Sequence, residues 1–123
     1  MSLHVGIDLV AVEQIAGSVA CHGDRFLERV YTSRELADSR RVPSRLAARF
    51  AAKEATMKAL GRAHEAIGWR SIEVLCDPAG RTSILLSGAA AELADRRGVT
   101  SLAVSLTHER RHAVAVVVAE AGR

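Results

Sequence analysis

The sequence predicts an α+β domain with a largely antiparallel sheet and one long helix. Three observations lead there. Helical and alternating segments are intermixed rather than blocked, the alternating segments come mostly as hairpin pairs, and no repeat or linker divides the 123 residues. The length suits one domain spanning 1–123, large enough to bury roughly two-thirds of its unfolded surface.

The elements follow in order. "LHVGIDLVAV" sets Leu3, Val5, Ile7 and Leu9 against His4, Gly6, Asp8 and Val10, a strand pattern. Residues 12–22 suit a short helix that stops near "CHGD". Thr32 and Glu35 stand at capping-box spacing and open a second short helix running to about Arg40. Ser44 as N-cap and Gly61 as terminator frame a long helix over 45–60. Gly61 to Gly68 reads as a loop. "SIEVLC", "DPAG" and "RTSILLS" make a hairpin, "GAAAELADRRG" a helix stopped at Gly98, and "SLAVSLT" and "AVAVVVA" two strands joined by "HERRH".

On the long helix, Ala48, Ala51, Ala52, Ala55 and Ala59 form a narrow small-residue stripe, and Leu46, Phe50 and Met57 a bulky one. Arg45, Arg49 and Lys53 share a basic side expected to face water. Glu54 and Lys58 fall between the two apolar stripes, so both are expected to look into a cleft. A plain i,i+4 surface pair, worth roughly 0.3–0.5 kcal/mol, is the simpler alternative.

Composition narrows the function. With 49% hydrophobic and 25% charged residues the chain is globular, and 3% aromatics leave an alanine-rich aliphatic core. A net charge of +3 suits an acidic partner, but without interleaved aromatics it argues against a nucleic-acid surface. Cys21 and Cys76 form no C-x-x-C pair and are expected to stay reduced in a soluble, cytoplasmic protein, with no leader and no membrane-spanning run.

Asp8 lies mid-strand, where an edge carboxylate facing water is the simple reading. If it converges with Glu54, the pair suits Mg²⁺, which takes one or two carboxylates and fills its shell with water and phosphate oxygens. Lys58 would then add positive charge to the same phosphates. "HERRH" at 108–112 matches the H-E-x-x-H zinc-hydrolase pattern, but that chemistry needs a helix, and these flanks alternate as strands into a turn. His108 remains a candidate phosphate donor at a strand end. His4, His22 and His64 have no partner pattern, and no Walker loop, dinucleotide fingerprint or nucleophile elbow is present. A non-catalytic module for an acidic partner is a further alternative.

"VGIDLVAVEQI", "RFAAKEATMKAL" and "SLTHERRHAVAVVV" together resemble the signature segments of holo-acyl-carrier-protein synthases, the short 4'-phosphopantetheinyl transferases. Weaker similarity in "RVYTSREL" and "IEVLCDPAGR" extends the likeness over essentially the whole chain. The resemblance implies transfer of phosphopantetheine from coenzyme A to a serine of an apo acyl carrier protein, releasing 3',5'-ADP. It implies Mg²⁺ held by Asp8 and Glu54, charge neutralisation by Lys58, and serine deprotonation by Glu54 or a metal-bound water. It places Arg49 and His108 at the coenzyme 3'-phosphate and Gly61 where backbone approaches the ligand. It also implies a homotrimer with sites between subunits. Gln14 and Thr82 depart from the family pattern, where a basic residue meeting the carrier and a proline are usual. A fatty-acid carrier and a polyketide carrier are therefore both open.

Overall fold

The computed structural model describes residues 1–61 and 67–122; most of the loop expected after Gly61, His64 included, lies outside them. Strand β1 (Ser2–Ala11) leads into α1 (Val12–His22), α2 (Asp24–Val30), α3 (Ser33–Ser39) and the long α4 (Pro43–Ala59). After a 3₁₀ turn at Trp69–Ser71 come β2 (Ile72–Cys76), β3 (Thr82–Leu86), α5 (Gly88–Arg96), β4 (Val99–His108) and β5 (His112–Ala121). The strands form two antiparallel sheets, ordered β1-β5-β4 and β2-β3. The α+β class with antiparallel sheets is therefore what the chain adopts.

Alanine decides the packing. Ala48, Ala51, Ala52, Ala55 and Ala59 of α4 are all buried, and so are Ala113, Ala115, Ala119 and Ala121 on one face of β5. Small side chains on both surfaces let the helix lie close against the sheet. The closest approach is at Gly6, where a Cβ would overlap the carbonyl oxygen of Ala55 and sit 2.8 Å from the Ala59 nitrogen. That contact locks β1 and α4 together. A second cluster, including Met57, Leu60, Ile72 and Leu93, joins α4 to α5 and β2.

The face of β1 that meets α4 is the small and polar one, carrying Gly6, Asp8 and Val10. Leu3, Val5, Ile7 and Leu9 point away and are 64%, 63%, 56% and 67% exposed. Val5, Ile7 and Leu9 pair across the strand with Val118, Val116 and Val114, so the apolar surface continues onto β5.

The capping box forms as expected: Glu35 N donates to Thr32 Oγ1 and Thr32 N to Glu35 Oε1. Two expectations are corrected. Helix α4 begins at Pro43 with Val42 as N-cap and no side-chain cap, because proline fits the first helical turn and displaces Ser44 inward. The basic side of α4 does not face water as a whole. Lys53 is fully buried and Arg49 only 9% exposed.

The reason is Glu35. Its carboxylate, also fully buried, lies 2.8 Å from Lys53 Nζ, and the same ammonium donates to the carbonyls of Trp69 (3.1 Å) and Ile72 (2.5 Å). Glu35 Oε2 accepts from Val74 N at 2.8 Å. The pair thus fastens α3, α4 and β2 with its hydrogen-bonding capacity used. Burial pulls the Lys53 ammonium below the usual lysine range, against the opposing pull of Glu35. Tyr31, whose hydroxyl donates to Leu46 O, is pushed above the usual phenol range by burial and then by Glu35.

Candidate active site

The β1–α4 contact delivers Asp8 to the helix. Two residues beyond Gly6 and on the same face, its side chain is 16% exposed and accepts from Lys58 Nζ at 3.1 Å. Lys58 also donates to the Ile7 carbonyl at 2.9 Å, which holds its flexible stem across the strand. An ion pair this open to water (Lys58 is 43% exposed) contributes little to stability and gives way readily to a stronger ligand. Glu54, half-buried, lies one turn before Lys58 and is itself engaged in an interaction. The structure thus brings Asp8 and Lys58 together, with Glu54 on the adjoining turn.

Asp8 and Glu54 offer hard oxygen donors beside an ammonium. Among the described residues no group of three or more His, Cys, Asp or Glu side chains gathers. This donor set fits Mg²⁺, which draws much of its shell from water and phosphate, and not zinc, which needs three or four protein ligands.

The "HERRH" segment is a hairpin turn, as its flanks predicted. His108 pairs with Ala113 and shares its face, so strand alternation puts the neighbouring His112 on the other. His112 Nδ1 instead lies 3.1 Å from Glu109 Oε1. A helical two-histidine zinc site does not form here.

Among the described residues neither Arg49 nor His108 forms a hydrogen bond or ion pair with Asp8 or Lys58. Arg49 is five residues from Glu54, about 140° round the helix, and its Nη1 donates to Arg45 O at 3.2 Å. Among the described residues its buried Nε has no hydrogen-bond partner, a costly arrangement that an anion would relieve. His108 is exposed at the end of β4, on the α4 side of the sheet. Gly61 has φ +80°, and a Cβ there would sit 2.6 Å from Arg97 Nη1. Arg97 is a cation beside Gly61 that the sequence reading did not single out. Its only signal was a basic end to α5, which also suits an ordinary helix C-terminus.

The model of the 4'-phosphopantetheinyl transferase superfamily matches residues 4–117. A holo-[acyl-carrier-protein] synthase of Solibacter usitatus is 40% identical over 98% of this chain and 99% of its own. Among solved structures, the Helicobacter pylori holo-[acyl-carrier-protein] synthase in complex with coenzyme A superposes with a TM-score of 0.86 at 32% identity, covering 94% of this chain and 99% of the other. The Chronobacterium ammoniagenes synthase–coenzyme A complex gives 0.88 at 31% identity over the whole of both chains. With a family-model match over residues 4–117 and a relative 40% identical over nearly the full length, the chain belongs to the 4'-phosphopantetheinyl transferase superfamily.

Proposed function

We propose that this protein transfers phosphopantetheine from coenzyme A to a serine of an apo acyl carrier protein, as a single transferase domain dependent on Mg²⁺. The observation that carries the reading is the Asp8–Lys58 pair, held against the helix turn that bears Glu54, in a chain whose relatives were solved with coenzyme A. Asp8 and Glu54 would hold Mg²⁺, which when bound supplies charge neutralisation at the pyrophosphate. Lys58 then turns from Asp8 toward the phosphates. The serine oxygen bonds to the phosphorus nearer the pantetheine, the pyrophosphate bridge breaks, and 3',5'-ADP leaves. The serine proton passes to Glu54. Positioning and charge account for such a transfer without a covalent enzyme intermediate.

Arg49, whose Nε has no partner among the described residues, and His108 serve the coenzyme 3'-phosphate, and Gly61, without a Cβ, lets the backbone approach the ligand. In this reading the site is completed between subunits of a homotrimer, which suits Arg49 and His108 having no bond to Asp8 or Lys58 among the described residues. The exposed apolar face of β1 and β5 supports that assembly, since large contiguous apolar patches on soluble proteins mark interfaces. The cysteines are free, and among the described residues no helix is long and apolar enough to cross a membrane. The cytoplasm is the compartment that suits this reading.

Intact-mass spectrometry of apo carrier protein incubated with the protein, coenzyme A and Mg²⁺ tests it. A mass gain of one phosphopantetheinyl group, lost with chelator and in Asp8→Ala or Glu54→Ala, is expected. No gain on either fatty-acid or polyketide carriers, or near-normal turnover in either variant, would refute it.

A further inference from the structure

We propose that Arg97 binds the coenzyme A pyrophosphate, as a second phosphate-contacting cation on the open stripe of α4. The inference rests on the transfer reading and adds a contact supplied by α5. The stripe is defined by what packs on either side of it. Gly6 of β1 lies against Ala55 and Ala59, while Leu93 and Ala94 of α5 join Met57 and Leu60 in one buried cluster. Between these two contacts α4 presents Glu54, Lys58 and Gly61. Leu60 is still right-handed helical (φ −82°, ψ −4°) and Gly61 N donates to Lys58 O at 3.0 Å, so Gly61 sits one turn past Lys58. Round the helix axis it stands about 20° from Glu54 and about 60° from Lys58.

Asp8 reaches this stripe from the β1 side, through Lys58. Arg97 reaches it from the α5 side. A Cβ on Gly61 would meet its Nη1 at 2.6 Å, its Cζ at 3.4 Å and its Nη2 at 3.7 Å, so the whole guanidinium lies over the glycine. The backbone beneath it is fixed, since Arg97 N donates to Leu93 O at 3.0 Å and Leu93 belongs to the cluster that ties α5 to α4. Arg97 is exposed, and among the described residues its guanidinium has no hydrogen bond or ion pair. Of the acidic residues on its own helix, Asp95 lines the depression between β3 and β4 with Ile84 and Thr100, and Glu92 pairs with no cation among the described residues.

A guanidinium held there does what the neighbouring ammonium leaves open. Lys58 is shared between Asp8 and the Ile7 carbonyl, so part of its charge is offset and part of its donor capacity is engaged. The pyrophosphate brings a negative charge on each of its linked phosphates. Gly61 lies only about 4.5 Å further along the axis than Lys58, so the two cations flank linked phosphates laid along the stripe. An arginine fork takes two oxygens of one phosphate at once, which an ammonium does not. A purely structural arginine at this end of α4 would donate to the last carbonyls of that helix. Arg97 donates to none of them among the described residues.

The test is isothermal titration of coenzyme A, and of its 3'-dephospho form that keeps the pyrophosphate, into wild type, Arg97→Gln and Arg97→Lys with Mg²⁺ present. The glutamine variant is expected to bind both ligands about 10-fold more weakly, the loss of one charge-assisted contact, with the lysine variant in between. The unfolding midpoint of the ligand-free variants should stay at the wild-type value. Unchanged affinity in Arg97→Gln overturns the proposal. So does a loss confined to coenzyme A, which would move the contact to the 3'-phosphate. A loss matched by a lower midpoint also overturns it, since Arg97 would then be structural. Wild type separates the two readings: binding of neither ligand refutes the transfer itself, whereas normal binding with an unmoved Arg97→Gln refutes only this contact.

Discussion

Replacing Lys53 by methionine keeps most of the side-chain volume and removes the ammonium from a site with no solvent access. Glu35 keeps two backbone donors, Thr32 N at 2.9 Å and Val74 N at 2.8 Å, but loses the charge 2.8 Å away. The carbonyls of Trp69 and Ile72 lose their ammonium donor. Stranding one member of a buried pair costs about 3–5 kcal/mol, and the orphaned carbonyls place the loss in the upper part of that range, about 4 kcal/mol. For a chain of this length that is a fall in Tm of about 15 °C. Urea and thermal unfolding at one fixed protein concentration measure it, since self-association would otherwise move the midpoint. The companion Glu35→Leu/Lys53→Met removes both charges but leaves Thr32 N, Val74 N and the two carbonyls without these partners, so it should regain only part of the loss, about 1–2 kcal/mol relative to the single variant. A loss below about 1 kcal/mol in the single variant, or a double variant no more stable than the single, would refute the assignment of this pair as the clamp between α3, α4 and β2.

Other outcomes follow from the same geometry. Gly6→Ala drives a methyl group into the Ala55 carbonyl; a cost of about 1–3 kcal/mol in unfolding and a transfer rate at least about tenfold lower are expected, and wild-type values in both would contradict the close approach. Ile7→Glu puts a carboxylate in the middle of the exposed apolar face and should leave a monomer in analytical ultracentrifugation; an unchanged sedimenting mass refutes that face as the subunit interface. The Glu109 carboxyl is held below its ordinary 4.5, first by the Arg111 N–H and also by His112. Hydrogen-exchange protection of the Arg111 amide should therefore be complete above pH 4.5 and fade as the pH falls through the depressed value. Protection equal in Glu109→Gln across that window would show that the carboxylate does not hold the turn.

What could be read in advance was local. The Thr32–Glu35 capping box, the alanine stripe of α4 and the turn at "HERRH" are encoded within a few residues, and all three formed. Helical periodicity groups Lys53 with Arg45 and Arg49 on a side that can face water, and nothing nearby announces a carboxylate 18 residues earlier. Helix α2 went unseen because it is seven residues long and follows Gly23 at once, with no side-chain cap to mark its start. The alternation of β1 was plain, yet alternation does not say which face packs on the helix. Here the glycine decided it, because only the Gly6 face can come that close to α4. At the site, Glu54 and Lys58 stood out by their position between apolar stripes and Asp8 by its strand, but the ion pair joining Asp8 to Lys58 spans 50 residues and needed the fold.

The burial of Lys53 also settles how the molecule answers to amine chemistry. The chain has only two lysines, and Lys53 is sealed behind Glu35 while Lys58 is open at the cleft. An acylating reagent applied to the native protein therefore finds one side-chain amine, the one beside Asp8. The extent of its labelling, followed residue by residue, becomes a direct gauge of whether the cleft is filled.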